Sequence, residues 1–221
     1  MAQLMHNAGY LTGVFTTNSY CGTMSGFDRG VDWLREKGEE DHFASSRELH
    51  KDFWEWREAY PGNPYWVHFQ TMDVHWPWRP EAPFAGLYLS PELRMRYYDW
   101  EHQVAKAAGW SYPTWPTPYR LTPEAFKKAG INHLEYFEAA RCLHDEAMAH
   151  NDYQIGKLVE RLKSSGEWEN TLLIIAADHG SFFGLGLSDP IPPTWGPLFR
   201  SCETRIPMIF IWPKHIASGL R

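Results

Sequence analysis

Apolar, β-branched and aromatic residues gather in short runs along this chain, separated by Gly- and Pro-rich stretches. The first segment, "AQLMHNAGY", puts Leu4, Met5 and Ala8 on one face and ends at Gly9, as the last turns of a helix do. "LTGVFTT" reads as a strand, "GFDRGVDWL" as a turn-rich connection, and residues 46–59 as a helix that "PGNP" stops. "YWVHFQT" is the next strand. Residues 76–123 are proline-rich without a clear period and predict a long loop or insertion. A long helix follows, with Leu134, Phe137, Leu143, Met148, Ile155, Leu158 and Leu162 near helical spacing. Asn132 is its expected N-cap, with Glu135 three residues on, and Gly166 its C-cap. A strand at 171–177, a Gly/Pro-rich loop at 180–197 and a strand at 207–212 complete the pattern. Strands alternating with helices predict an α/β fold, a sheet with parallel pairs covered by helices.

Two of the strands end in residues that a core cannot hold. "TLLIIAADHGS" runs from an apolar strand into Asp178, His179 and Gly180. Ligands of open α/β sheets collect at the carboxyl ends of strands. Asp offers a hard oxygen to a divalent cation, and His a nitrogen that suits transition metals. The competing role for such an Asp is a helix cap or turn. "YWVHFQTMDVHWPW" likewise ends in Asp73 and His75, with Pro77 fixing the chain. His75 is a candidate donor to an anionic oxygen; the alternative is a structural histidine satisfied by backbone. His68, inside the strand, is read as structural.

Composition narrows the classes. The 221 residues, 43% hydrophobic, suffice for one sizeable core. A formal charge of −6 gives no basic footprint, which argues against a nucleic-acid partner. No apolar run reaches the roughly 20 residues of a membrane span, and "MAQLMHNAGY" lacks the basic start and apolar block of a signal peptide. Localisation stays open. Cys21, Cys142 and Cys202 are far apart and lack C-x-x-C spacing, so neither a zinc site nor a disulfide framework is expected. The 12 Trp concentrate, with other rings, between Phe53 and Tyr119. They are read as packing for an irregular region rather than as a sugar-stacking surface.

The set "NAGYLTGVFTTNSYCG", "GFDRGVDW", "VHFQTMDVHWPW", "HNDYQIGKLVERLKSSGEWENTLLIIAADHG" and "ETRIPMIFIWP" resembles the sulfatase family, in order and spacing, across most of the chain. The resemblance implies a partial alkaline-phosphatase-like sandwich with a mostly parallel central sheet flanked by helices. It implies a single domain over residues 1–221, with an irregular insertion at about 76–123. Family members hydrolyse sulfate esters with a formylglycine, made from Cys or Ser in C/S-x-P-x-R, and one divalent cation, usually Ca²⁺. Asp178 and His179 match the second pair of metal ligands. His75 matches the substrate-contacting His of the H-x-P motif, and Asn18 is a further candidate substrate contact. These groups are expected in one cleft at the carboxyl edge of the sheet. Cation and donors together would neutralise an anionic ester and stabilise the charge that develops on its oxygens. A small-molecule or sugar sulfate ester is the expected partner.

The departures are equally specific. No C/S-x-P-x-R occurs, and "CGTMS" at Cys21 lacks both Pro and Arg. The family's early acidic pair is missing. Thr17 and Ser19 stand where many members carry Lys and His, and Trp195 precedes Gly196 where Lys is usual. Arg205 matches the arginine of R-x-P. The chain is accordingly expected to be an internal fragment, lacking the N-terminal nucleophile motif and the C-terminal subdomain, and inactive alone. A phosphodiesterase or phosphonate monoester hydrolase of the same superfamily is the alternative, since His179 stands where many sulfatases have Asn and imidazole favours Mn²⁺ or Zn²⁺. A catalytically dead remnant or binding module is the third reading. Ser181, beside His179, is expected to cap or turn rather than attack.

Overall fold

The computed structural model describes residues 1–36, 45–109, 122–180 and 204–219. Among them the chain groups into two compact units, residues 1–84 with 147–158 and residues 85–146 with 159–221.

The first unit opens with a short helix α1 (Ala2–Asn7), closed by Gly9 at a φ of 86°, and a strand β1 (Leu11–Thr16). Strand β2 (Trp33–Glu36) lies within and just beyond the stretch expected to be only a connection. Helix α2 (Ser46–Ala59) and strand β3 (Tyr65–Gln70) follow. The three strands are parallel in the order β2-β1-β3, with Gly13 opposite Trp33 and Val67. β2 was hidden because Asp32 looks like a turn residue. Its carboxylate instead accepts from the N–H (2.8 Å) and hydroxyl (2.9 Å) of Thr12, stitching the connection to β1.

Helix α2 lies on β1 and β3 through rings. Phe15 sits 5.8 Å from Phe53, edge to face, and 5.5 Å from Phe69, stacked. Leu49, Phe53 and Trp56 are buried with them. Full burial of each such side chain contributes on the order of 1.5–3 kcal/mol. Gly13 makes the close approach feasible: a Cβ there would stand 3.0 Å from the Phe15 ring and 3.5 Å from that of Trp56.

In the second unit, helix α3 (Pro91–Ala107) corrects the expectation of an irregular stretch over 76–123. Its start signal is orthodox: Ser90 accepts from the N–H of Leu93, and Pro91 stands in the first turn. Its period was masked because the inward residues Tyr97, Glu101, Val104 and Ala105 include a carboxylate. Helix α4 (Pro123–Ala129) follows. Residues 110–121, part of the aromatic-rich region, lie outside the described residues.

Helix α5 (His133–Ser164) contributes residues 147–158 to the first unit and its remainder to the second. Asn132 caps it, Oδ1 accepting from the N–H of Leu134 at 3.0 Å. Gly166, at a φ of 77°, follows its end. Its buried positions include Tyr136, Ala140, Leu143, Ala147, His150, Gln154, Leu158 and Leu162, whereas Leu134 and Met148 point outward. The expected apolar set was therefore partly off the true stripe.

Tyr97, Phe126 and Tyr136 form the aromatic centre of the second unit, with Tyr97 and Tyr136 stacked at 4.9 Å and Phe126 edge-on to Tyr136 at 5.1 Å. Fully buried Glu146 gathers the chain before α3: Oε1 accepts from the N–H groups of Gly86 (3.1 Å), Tyr88 (2.9 Å) and Leu89 (2.9 Å). Its Oε2 pairs with Arg94 at 2.5 Å. Strands β4 (Leu173–Ala176) and β5 (Met208–Ile211) pair antiparallel, Leu173 opposite Ile211. All of the Gly/Pro-rich loop expected at 180–197 except Gly180, including Ser181 and Trp195, and also Cys202, lies outside the described residues. No helix among the described residues is long and apolar enough to cross a membrane.

Candidate functional site

At the carboxyl end of β1 the chain enters Thr17 and Asn18. Oδ1 of Asn18 accepts from the N–H of Tyr20 at 2.9 Å, and its own N–H donates to Oγ1 of Thr16 at 2.9 Å. Asn18 is thus a turn former, with its carboxamide nitrogen as the remaining side-chain donor. Thr17 is fully buried, and its hydroxyl has no hydrogen-bond partner among the described residues.

The carboxyl end of β3 carries the densest chemistry. The N–H of His75 donates to the Met72 carbonyl at 3.1 Å, closing a turn around Asp73. Nδ1 of His75 donates to the Trp76 carbonyl; a carbonyl only accepts, so the neutral ring carries its proton there and the second nitrogen is Nε2. Trp78, almost wholly buried, donates from Nε1 to the Val74 carbonyl at 3.0 Å.

Asp73 is buried within this turn, its side chain 3% exposed. It accepts from the backbone N–H of Ser46 at 3.1 and 3.0 Å, from Oγ of Ser46 at 3.0 Å and from Nδ1 of His150 at 3.2 Å. The carboxylate lies at the N-terminus of α2, where the helix dipole favours an anion. Nε2 of His150 in turn meets the Gln154 amide at 3.1 Å. The recess beside Asp73 and His150 is about 30 Å³, space for about one water, so this is a packed junction rather than a ligand pocket. His50, in the next turn of α2, lies edge-on to Phe69 at 5.2 Å. Burial pushes its pKa down to about 4, with the Asp73 carboxylate pulling the other way.

Sequence reasoning named Asp73 but missed Ser46, His50 and His150. A signal existed: counting from Leu143 and Ala147 in steps of three and four reaches His150 and Gln154 before Leu158. Polar residues in an apolar register mark a buried hydrogen-bonded cluster. His68 lies inside β3, stacked at 6.4 Å on Trp66 and 5.3 Å from Phe27, and burial lowers its pKa.

Asp178 and His179 fall in the second unit, just past β4. Oδ1 of Asp178 accepts from the His179 N–H at 3.1 Å. Nδ1 of His179 donates to the Gly180 carbonyl at 2.8 Å, and Nε2 stands 3.9 Å from Oδ1 of Asp178. Carbonyl support on one ring nitrogen is the way metal-bound histidines are oriented. Both side chains are substantially exposed. No group of three or more His, Cys, Asp or Glu among the described residues is placed to hold a metal. Asn18 and His75 thus lie in one unit and Asp178 and His179 in the other. Arg205 is exposed. Neither Cys21 nor Cys142 is in a disulfide, and burial raises the pKa of Cys142, which makes it a poor nucleophile.

The described residues form a parallel three-stranded sheet flanked by helices, which resembles the alkaline-phosphatase-like fold. The sulfatase family model matches residues 1–220, and the chain belongs to that family. A phosphonate monoester hydrolase from Silicibacter pomeroyi is similar in structure, with a TM-score of 0.58 at 15% identity over 96% of this chain and 52% of that one. A second solved structure, Ps i-CgsB, matches with a TM-score of 0.38 at 17% identity over 99% of this chain and 48% of that one. The chain thus spans about half the length of the solved structures it matches. No curated protein matches.

Proposed function

We propose that the chain carries part of the ester-binding site of a metal-dependent sulfatase-type hydrolase acting on sulfate esters. The observation that supports this most is the held ring of His75. Its Nδ1 donates to the Trp76 carbonyl just past the carboxyl end of β3, which orients the ring, and we assign to its Nε2 the contact with an anionic oxygen. On this reading a protonated Nε2 donates to a non-bridging ester oxygen, and the carboxamide nitrogen of Asn18 is a second donor. Charge-assisted donors of this kind favour the charge that builds on those oxygens as the ester bond breaks.

Asp178 and His179 would hold the divalent cation, Ca²⁺ on the family pattern. An acidic oxygen and an imidazole nitrogen suit such an ion, and the Gly180 carbonyl fixes the ring for the role. When bound, the cation would supply Lewis-acid neutralisation of the ester. Two protein donors are few against the roughly six to eight oxygens of a calcium site, so Ca²⁺ should bind the isolated chain no tighter than about micromolar. Calorimetry with Ca²⁺, Mn²⁺ and Zn²⁺ checks this, and Asp178→Ala should abolish any binding seen. Tight Zn²⁺ or Mn²⁺ binding with no Ca²⁺ binding would favour the second reading, a phosphonate or phosphate diester hydrolase, for which the imidazole of His179 is the supporting feature.

The nucleophile is a separate matter. The sequence has no C/S-x-P-x-R, and the Cys142 thiol, its pKa raised by burial, is no substitute. The 221 residues alone are therefore expected not to turn over an aryl sulfate or an aryl phosphonate ester, with or without metal. Metal-dependent turnover by the chain, lost in Ser181→Ala, would overturn this account of the nucleophile.

A further inference from the structure

We infer that Asp73 and His150 are positioning residues for His75, fixing the turn after β3 so that the His75 ring is held as the Nδ1–H tautomer. The inference rests on the reading of His75 as the ester-binding histidine.

The turn is anchored on both sides of His75. Before it, the Asp73 carboxylate takes the Ser46 N–H and hydroxyl from α2 and the His150 ring from α5. After it, the Trp78 indole holds the Val74 carbonyl. The three donors to Asp73 come from two helices and belong to residues almost wholly buried, Ser46 at 0% and His150 at 3% exposure. His150 is itself fixed: its Nδ1 gives its proton to Asp73, and its Nε2 accepts from the Gln154 amide. Stability alone does not call for such a group, because a buried carboxylate network is commonly replaceable by apolar packing. What a carboxylate adds is direction. It fixes the backbone of residues 72–75, and with it whether Nδ1 of His75 can reach the Trp76 carbonyl. A free imidazole prefers its neutral proton on Nε2. On the ester-binding reading, a ring held in this way meets the anion through Nε2.

The test uses the 221-residue chain without any anion. Long-range ¹H–¹⁵N correlation of the imidazoles reports each tautomer, with His75 assigned through His75→Gln. In the unsubstituted chain His75 should appear as the Nδ1–H form. In Asp73→Asn, checked by circular dichroism and cooperative urea unfolding, Nε2–H should rise to about half or more of the neutral ring. A purely stabilising Asp73 would lower the urea midpoint and leave the His75 tautomer alone, and that result in a folded variant overturns the proposal. Should Asp73→Asn fail to fold, Ser46→Ala, which removes one donor and keeps the carboxylate, is read the same way: a smaller shift in the same direction supports the proposal, and no shift overturns it. The ester-binding reading fails separately, if sulfate leaves the His75 signals of the unsubstituted chain unmoved.

Discussion

At the scale of single residues, buried polar groups decide most. Glu146 satisfies three backbone N–H groups and Arg94 at once. Glu146→Ala strands all of them and should destabilise the chain by about 3–5 kcal/mol in urea unfolding. Glu146→Gln keeps an acceptor and should cost less. His50 gives a pH effect of definite sign. Its folded pKa lies near 4, below the usual value of 6.5 for an unfolded chain. Above the higher value both states are neutral and His50 contributes nothing. Between the two the unfolded state binds the proton and the folded state does not, so stability falls as pH falls. The loss runs at up to about 1.4 kcal/mol per pH unit and levels off near 3 kcal/mol below pH 4. Urea midpoints from pH 7 to 4 should show this slope, and His50→Phe should flatten it. The sequence showed Asp178, His179 and His75 as candidates because each follows an apolar strand. The register of α5 marked His150 as buried, but not its partner: Asp73 is remote in sequence from both His150 and Ser46 and near them only once α2 and α5 are in place.

Among the elements, those with local signals were the legible ones. Helix α2 has the bounds that the sequence indicated, with the Ser45 N–H donating to Glu48 at its start. The Asn132 cap of α5 was equally plain, because cap chemistry is local. Asn132→Ala removes the acceptor for the Leu134 N–H and should cost about 1 kcal/mol, with a matching drop in the urea midpoint. β2 and α3 were missed for a shared reason. Each puts an acid where a pattern reader expects none: Asp32 at the door of β2, and Glu101 on the buried face of α3, 3.4 Å from the Tyr97 hydroxyl. Asp32 is satisfied by Thr12, twenty residues away, and Glu101 is accommodated inside the unit by the buried Tyr97 hydroxyl one turn earlier.

For the molecule as a whole, strands separated by helices already indicated an α/β fold, and family motifs spread from Gly9 to Pro213 carried the sulfatase resemblance. The grouping into two compact units runs through a single helix, α5, whose middle falls in the unit of β1–β3 and whose ends fall in the unit of α3 and α4. Only the pairing of distant segments reveals that. The same holds for the β4–β5 ladder, which is antiparallel whereas β1–β3 are parallel. The central claim is that a chain of net charge −6 still presents a specific anion contact at His75. The most direct measurement is a titration of the chain with sulfate, followed through the His75 imidazole nitrogens and run in parallel on His75→Ala by calorimetry. The account predicts a saturable shift confined mainly to Nε2 of His75, and no sulfate heat in the variant. A His75 ring that ignores sulfate, or a variant that binds it as well as the unsubstituted chain, would contradict it.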